Sequence, residues 1–418
     1  MLCGRPSRLM RALGGAVIAV AIVAVGGSGA SGGQAAARLT WAAEVAAQVS
    51  PPQDGSSGGA PLAASLDASV RAAVVEALAG ELQARYIFPD VAARMARDVT
   101  TRQANGEYDA IADPASFAAL LTQQMRAISG DQHLGVEYGG APVPVLGVAP
   151  GGPGPGGPEA IGPLINYGFA RVERLPGNIG YLDLRAFIDT NAGSGETAAA
   201  AMGFLAHTDA LIVDLRQNRG GFPTMIQLLA SYLFGPEPVL LNTFYFREGD
   251  RSEEWWTLPD VPGGRYGEQK PVYVLTSVQT FSAGEEFAYD LQARGRATIV
   301  GEVSGGGANP GELVPLADGF AAFIPFGRAI NPVTGTNWEG SGVQPDVAVP
   351  AAEALTTAHA LALRRLLESG ATTPEGAPSP VLEEAQRALA DLAQGATSTA
   401  VPAPPAPPSP PQPPFRPD

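Results

Sequence analysis

Val272-Tyr273-Val274-Leu275-Thr276 leads, after a three-residue link, into Thr280-Phe281-Ser282-Ala283-Gly284-Glu285-Glu286-Phe287. The first segment is a short run of β-branched, aromatic and aliphatic residues, as in a buried strand. From Ala283 to Ala293 the spacing becomes helical, with Phe287, Ala288 and Leu291 on one face. A serine at such a junction holds its hydroxyl at the end of a sheet. It also stands beside the free N–H groups and positive dipole end of a helix. Those donors can stabilise a developing oxyanion, so Ser282 is a candidate nucleophile. Ser282-x-x-Glu285 is equally a capping box, and the octapeptide alone leaves both roles open.

Working outward, strands and helices alternate around this unit. Asn178 to Leu184, Ala210 to Leu215, Val272 to Thr276 and Ala297 to Gly301 read as strands. Gly195 to His207 and Phe222 to Phe234 read as helices, and Asn242 to Phe246 with Glu253 to Leu258 as a hairpin. That alternation predicts an α/β core over residues 136–350. Residues 65–135 read as a small helical domain, with Val70, Val74, Leu78 and Leu82 at helical spacing. Its end, Asp131-Gln132-His133-Leu134-Gly135-Val136-Glu137-Tyr138, alternates like a strand after a turn. Helices are expected over 351–395. A Pro-rich tail without a core is expected over 396–418.

The N-terminus resembles a secretory signal over residues 1–37. Arg5, Arg8 and Arg11 precede an apolar run from Leu13 to Val25, and small residues follow. A retained anchor is the alternative, against which stands a run shorter than the ~20 residues of a membrane span. Residues 38–64 read as a linker rich in Pro, Gly and Ser. The expected location is secreted or periplasmic, with no stable membrane span once the signal is cleaved.

Composition narrows the chemistry. The chain has 418 residues and a formal net charge of −15, so no nucleic-acid partner is expected. Its one cysteine, Cys3, and three histidines, His133, His207 and His359, are too few and scattered for a Cys/His zinc site. No Gly-rich loop with a following Lys-Ser/Thr is present. No cofactor and no metal are expected.

Three more segments accompany the Ser282 junction. The strand Leu211-Ile212-Val213-Asp214-Leu215 leads through Arg216-Gln217-Asn218-Arg219 to Gly220-Gly221, where the backbone can approach a substrate carbonyl or simply turn. Gly301-Glu302-Val303-Ser304-Gly305-Gly306-Gly307 is a Gly-rich loop after a strand. Asn337-Trp338-Glu339-Gly340 comes last, followed by Gly342-Val343-Gln344-Pro345-Asp346.

In this order the four segments resemble the tail-specific, or C-terminal processing, serine peptidases. The likeness is to the branch holding the tricorn core protease and the interphotoreceptor retinoid-binding protein modules. Tyr86-Ile87-Phe88-Pro89 and Arg174 to Arg185 share it, and it spans roughly residues 66–349. It implies a crotonase/ClpP-like spiral αβ catalytic domain after a small helical domain, with Ser282 as nucleophile. It implies an oxyanion hole at the N–H groups of Ala283 and of the Gly220/Gly221 pair. Where the tail-specific members carry a lysine base, this chain has Gly307, and its one lysine, Lys270, starts the strand at the other sheet edge. Residues 139–163 are too short and too rich in Gly and Pro for a PDZ domain.

The tricorn-like members use a histidine base backed by a glutamate, and His133 and Glu339 match those positions. An imidazole taking the Ser282 proton while an anionic group orients it is coherent chemistry. Glu285 and Ser304 are expected to support the site from behind; His207 and His359 are expected to be structural. Trp255 and Trp256 line a pocket, form an interface or fill the core. The implied function is a secreted serine endopeptidase acting on a peptide or protein substrate. The alternatives are a non-catalytic binding module for lipophilic ligands or peptides, or an esterase; oligomeric state is open.

Overall fold

The computed structural model describes residues 66–139, 162–370 and 379–398. The expected leader, the linker, the segment read as too short for a PDZ domain and most of the Pro-rich tail lie outside those residues. Among the described residues no helix is long and apolar enough to cross a membrane.

The α/β core is a mixed sheet built on β4 (Ala210–Asp214), which is buried at every position. The sheet has six strands. Four others run parallel with β4: β3 (Ile179–Leu184), β7 (Val272–Thr276), β8 (Thr298–Gly301) and β12 (Val347–Ala348). The sixth, β2 (Phe169–Leu175), is antiparallel to β3, giving the order β12-β8-β7-β4-β3-β2. Alternation along the strands feeds two cores. Leu211 and Val213 pack with Val274 and Ile299 under α4 (Ser194–Leu205), α5 (Pro223–Leu233) and α6 (Ala283–Ala293). Ile212, Tyr273, Leu275 and Val300 face the other way, onto α7 (Ala351–Ser369) and α8 (Pro380–Ser398). Burial on both faces explains why these strands read as continuous apolar runs.

The helical segment forms α1 (Ala68–Arg85), α2 (Pro89–Ala104) and α3 (Pro114–Ser129). Asp67 caps α1 by accepting from the N–H groups of Ser69 and Val70, and α2 and α3 each begin with proline. Val74, Leu78 and Leu82 are buried as their spacing requires. They share a core with a three-stranded antiparallel sheet of order β1-β10-β9: β1 (Gly135–Tyr138), β10 (Phe320–Pro325) and β9 (Gly311–Pro315). A third sheet joins the expected hairpin, β5 (Leu240–Phe246) and β6 (Arg251–Trp256), to β11 (Gly327–Ile330).

The strands β9 to β11 were not expected. They are short and interrupted by Gly and Pro, so their alternation is weak. One signal was available: Asp318-Gly319 turns the β9–β10 hairpin with both residues at positive φ, 54° and 81°.

Candidate active site

Three loops leave the carboxyl ends of neighbouring parallel strands, the usual place for a site in such a sheet. From β4 comes Asn218 to Gly221, from β7 the link to Ser282, and from β8 the loop Ser304 to Gly307. Asn218 bolts two of them together. Fully buried, it donates from Nδ2 to the Leu184 carbonyl, accepts the Gly220 N–H at Oδ1 (2.8 Å), and receives the Phe281 N–H at its carbonyl (3.0 Å).

Ser282 sits at φ 54°, ψ −123°, a conformation a non-glycine residue adopts only when its surroundings impose it. The Glu285 arm of the capping box is present, with Glu285 Oε2 accepting the Ser282 N–H at 2.9 Å. The Glu285 N–H hydrogen-bonds the Ser282 carbonyl at 2.8 Å and faces the Ser282 side chain as the other arm of the box. Ser282 lines a cavity of about 180 Å³, together with Gly221, Ala283, His133 and Gly307. Among the described residues the N–H groups of Gly221 and Ala283 have no hydrogen-bond acceptor. Gly220, expected as a third donor, spends its N–H on Asn218. It is glycine for another reason: a Cβ there would lie 2.8 Å from that of Ser282.

Glu285 is fully buried and accepts four hydrogen bonds: from the Ser282 N–H, the Ser304 hydroxyl (2.5 Å) and the Gly306 and Gly307 N–H groups. Burial raises its pKa against those donors. Ser304 in turn accepts the Val343 N–H at 2.7 Å. Both residues stand behind the cavity and hold the Gly-rich loop against the start of α6.

His133 precedes β1, and its ring lies between Phe281 and Phe323, with centroids 4.6 and 5.7 Å away. It is 8% exposed. Burial, aided by the charge of Arg126, pushes its pKa down to about 3, so the ring is a neutral base at ordinary pH. A Cβ on Gly307 would meet Phe281 Cζ at 2.3 Å and His133 Cε1 at 2.7 Å. The residue standing where the lysine base was sought is thus what lets the histidine in. Lys270 Nζ bonds the Ala206 carbonyl at 2.7 Å and stacks on Tyr266, at the start of β7.

Glu339 comes close to His133 without a hydrogen bond to it. One His133 ring nitrogen and one oxygen each of Asp131 and Glu339 lie within 4.8 Å of one another. Glu339 accepts the N–H groups of Gln132 (3.1 Å), Ala308 (2.6 Å) and Asn309 (3.2 Å). Asp131, which the sequence reading quoted without assigning it a role, accepts the His133 N–H at 2.9 Å, the Asn309 amide and the Tyr86 hydroxyl. His133 Nδ1 is buried and unpartnered. Burial and the neighbouring Asp131 charge raise Glu339 to about 7. The three groups are near enough to share a cation, but the N–H and O–H donors already on both carboxylates account for their placement.

Trp255 lines the cavity edge-on to Phe244, whereas Trp256 is on the surface. His207 is exposed and His359 is held by the Pro176 carbonyl (2.8 Å), neither near Ser282 in the fold.

Residues 178–349 match the family described as Peptidase family S41. Residues 65–151 match the N-terminal domain of Peptidase_S41 in eukaryotic IRBP. A carboxy-terminal-processing protease of Bartonella bacilliformis is 29% identical over 180 residues, 42% of this chain and 40% of that protein. The carboxyl-terminal-processing peptidase 3, chloroplastic, of Arabidopsis thaliana is 29% identical over 168 residues, 40% and 31% of the two chains. The chain thus matches less than half the length of either curated relative. The solved tricorn protease aligns over 72% of this chain and 37% of its own, with 14% identity and a TM-score of 0.46.

Proposed function

The chain belongs to the S41 peptidase family, and we propose that it is an exported serine endopeptidase whose nucleophile is Ser282 and whose base is His133. The observation that carries this reading is the Ser282 elbow: a serine at positive φ at a helix start, beside two unsatisfied N–H groups and a neutral imidazole in one cavity. Ser282 Oγ attacks the scissile carbonyl carbon as His133 takes its proton. The oxyanion lies between the Gly221 and Ala283 N–H groups, each supplying on the order of 3 kcal/mol of transition-state stabilisation. Collapse expels the amine, which takes the proton from His133. Water, deprotonated by the same ring, then hydrolyses the acyl-enzyme. Glu339 and Asp131 favour the imidazolium electrostatically, and Glu285 and Ser304 keep the loop in place.

The α/β domain is assigned to the crotonase/ClpP-like spiral type without a PDZ domain, and export rests on the basic and apolar pattern of the first 37 residues. The apolar cavity walls favour one rival, a binding module for lipophilic ligands. A fluorophosphonate with intact-mass detection separates the two. Stoichiometric labelling, lost in Ser282→Ala and slowed at least 10²-fold in His133→Ala, is expected for the peptidase. A folded protein that stays unlabelled belongs to the binding module.

A further inference from the structure

The cavity beside Ser282 has a feature that peptide-bond chemistry does not use. Its walls are aromatic, with Phe244, Trp255 and Trp338 among them, yet Glu286 reaches it from the first turn of α6 and Glu253 from β6. Among the described residues no arginine or lysine lines it. Glu286 is 7% exposed, and among the described residues its carboxyl receives a single hydrogen bond, from Asn242 Nδ2 at 3.2 Å. One helical turn on, Asp290 is buried as well, with one oxygen on Asn331 and the other unpartnered. Arg294, whose charge acts on Asp290, turns its guanidinium to the Leu240 carbonyl, and among the described residues no salt bridge joins it to either acid.

A buried carboxylate without a counter-ion is costly, and a cation that completes it is bound correspondingly well. Aromatic faces around that cation add to the attraction, most for a guanidinium. A hydrocarbon ligand would leave the acid unpaired. We propose that this cavity is a subsite for a cationic side chain, an arginine or lysine on the amino side of the scissile bond, recognised by Glu286. The assignment to that side rests on Ser282 being the nucleophile; the cation preference does not. Burial raises Glu286 to about 7, and an entering cation would restore its ionised form.

Two measurements test it. In the full chain carrying Ser282→Ala, benzamidinium and its neutral analogue benzamide are titrated against tryptophan fluorescence, since Trp255 and Trp338 line the cavity. Benzamidinium should bind at least ten-fold more tightly, and Glu286→Gln should remove the difference. Equal affinities, no binding of either, or a preference that survives Glu286→Gln would overturn the subsite. In the active protein, peptides differing only in arginine or norleucine before the scissile bond should show a kcat/KM ratio of at least ten, collapsing toward one in Glu286→Gln. A protein that is labelled at Ser282 and cleaves both alike keeps the peptidase reading and sinks the subsite. An unlabelled protein that binds benzamidinium through Glu286 does the reverse.

Discussion

On the proposed mechanism, Glu339 and Asp131 set the protonation behaviour of the site. Burial and the Asp131 charge keep Glu339 protonated up to about pH 7, so below that pH the imidazolium that the proposed attack would form lacks an anionic neighbour. Raising the pH through 7 ionises Glu339 and should raise kcat with it. Glu339→Gln should lower kcat about 10²-fold and flatten this rise, measured as kcat from pH 5.5 to 8.5. A variant that keeps the rise would move the control to another group. At this scale the sequence singled out Ser282, His133 and Glu339 by type and order, and the fold brings Ser282 and His133 to one cavity with Glu339 near His133; their roles belong to the proposal. The Gly220 N–H was misassigned because its acceptor is the side chain of Asn218, two residues away, and a turn's internal bonds leave no periodic trace. Glu286 was passed over for a similar reason: an acid four residues after Ser282 looks solvated until the packing of β5 and β6 covers it.

The elements that build the elbow are held by single side chains spanning loops. Asn218→Ala would strand the donors and acceptors it joins, costing about 2–3 kcal/mol by chemical denaturation. It should also slow fluorophosphonate labelling, because the side-chain bonds that tie the Gly220-Gly221 turn to the end of β3 are lost. Gly307→Ala tests a different constraint. The added methyl must displace Phe281 or His133, so labelling should fall at least ten-fold while stability drops by about 1–3 kcal/mol. Strands β3, β4, β7 and β8 were readable because burial on both faces makes them apolar runs. Strands β9 to β11 were not, since they are short and the sheets they join are completed by partners distant in sequence: β10 by β1 and β11 by β5.

Over the whole molecule, the site closes only where the helical segment meets the α/β core. His133 ends one and Ser282 begins a helix of the other, with Phe323 of β10 filling the space beside the imidazole. The net charge of −15 acts at this scale too. If the cavity takes basic side chains, association should be steered. The kcat/KM for an arginine peptide should then fall several-fold from about 0.01 to about 0.1 M salt, as the screening length drops from about 30 to about 10 Å. The norleucine peptide should change little, and equal salt dependence would remove steering from the account. By itself the sequence determined the α/β alternation, the strand–Ser282–helix junction, the helical segment and the absence of a lysine where one was sought, because periodicity and local spacing encode these. Which N–H groups stay free, what surrounds His133 and how Glu286 comes to face the cavity were decided by the tertiary structure alone. The last two depend on partners tens to hundreds of residues away, and the first on a side chain's bonds inside a turn, and no periodic pattern records either.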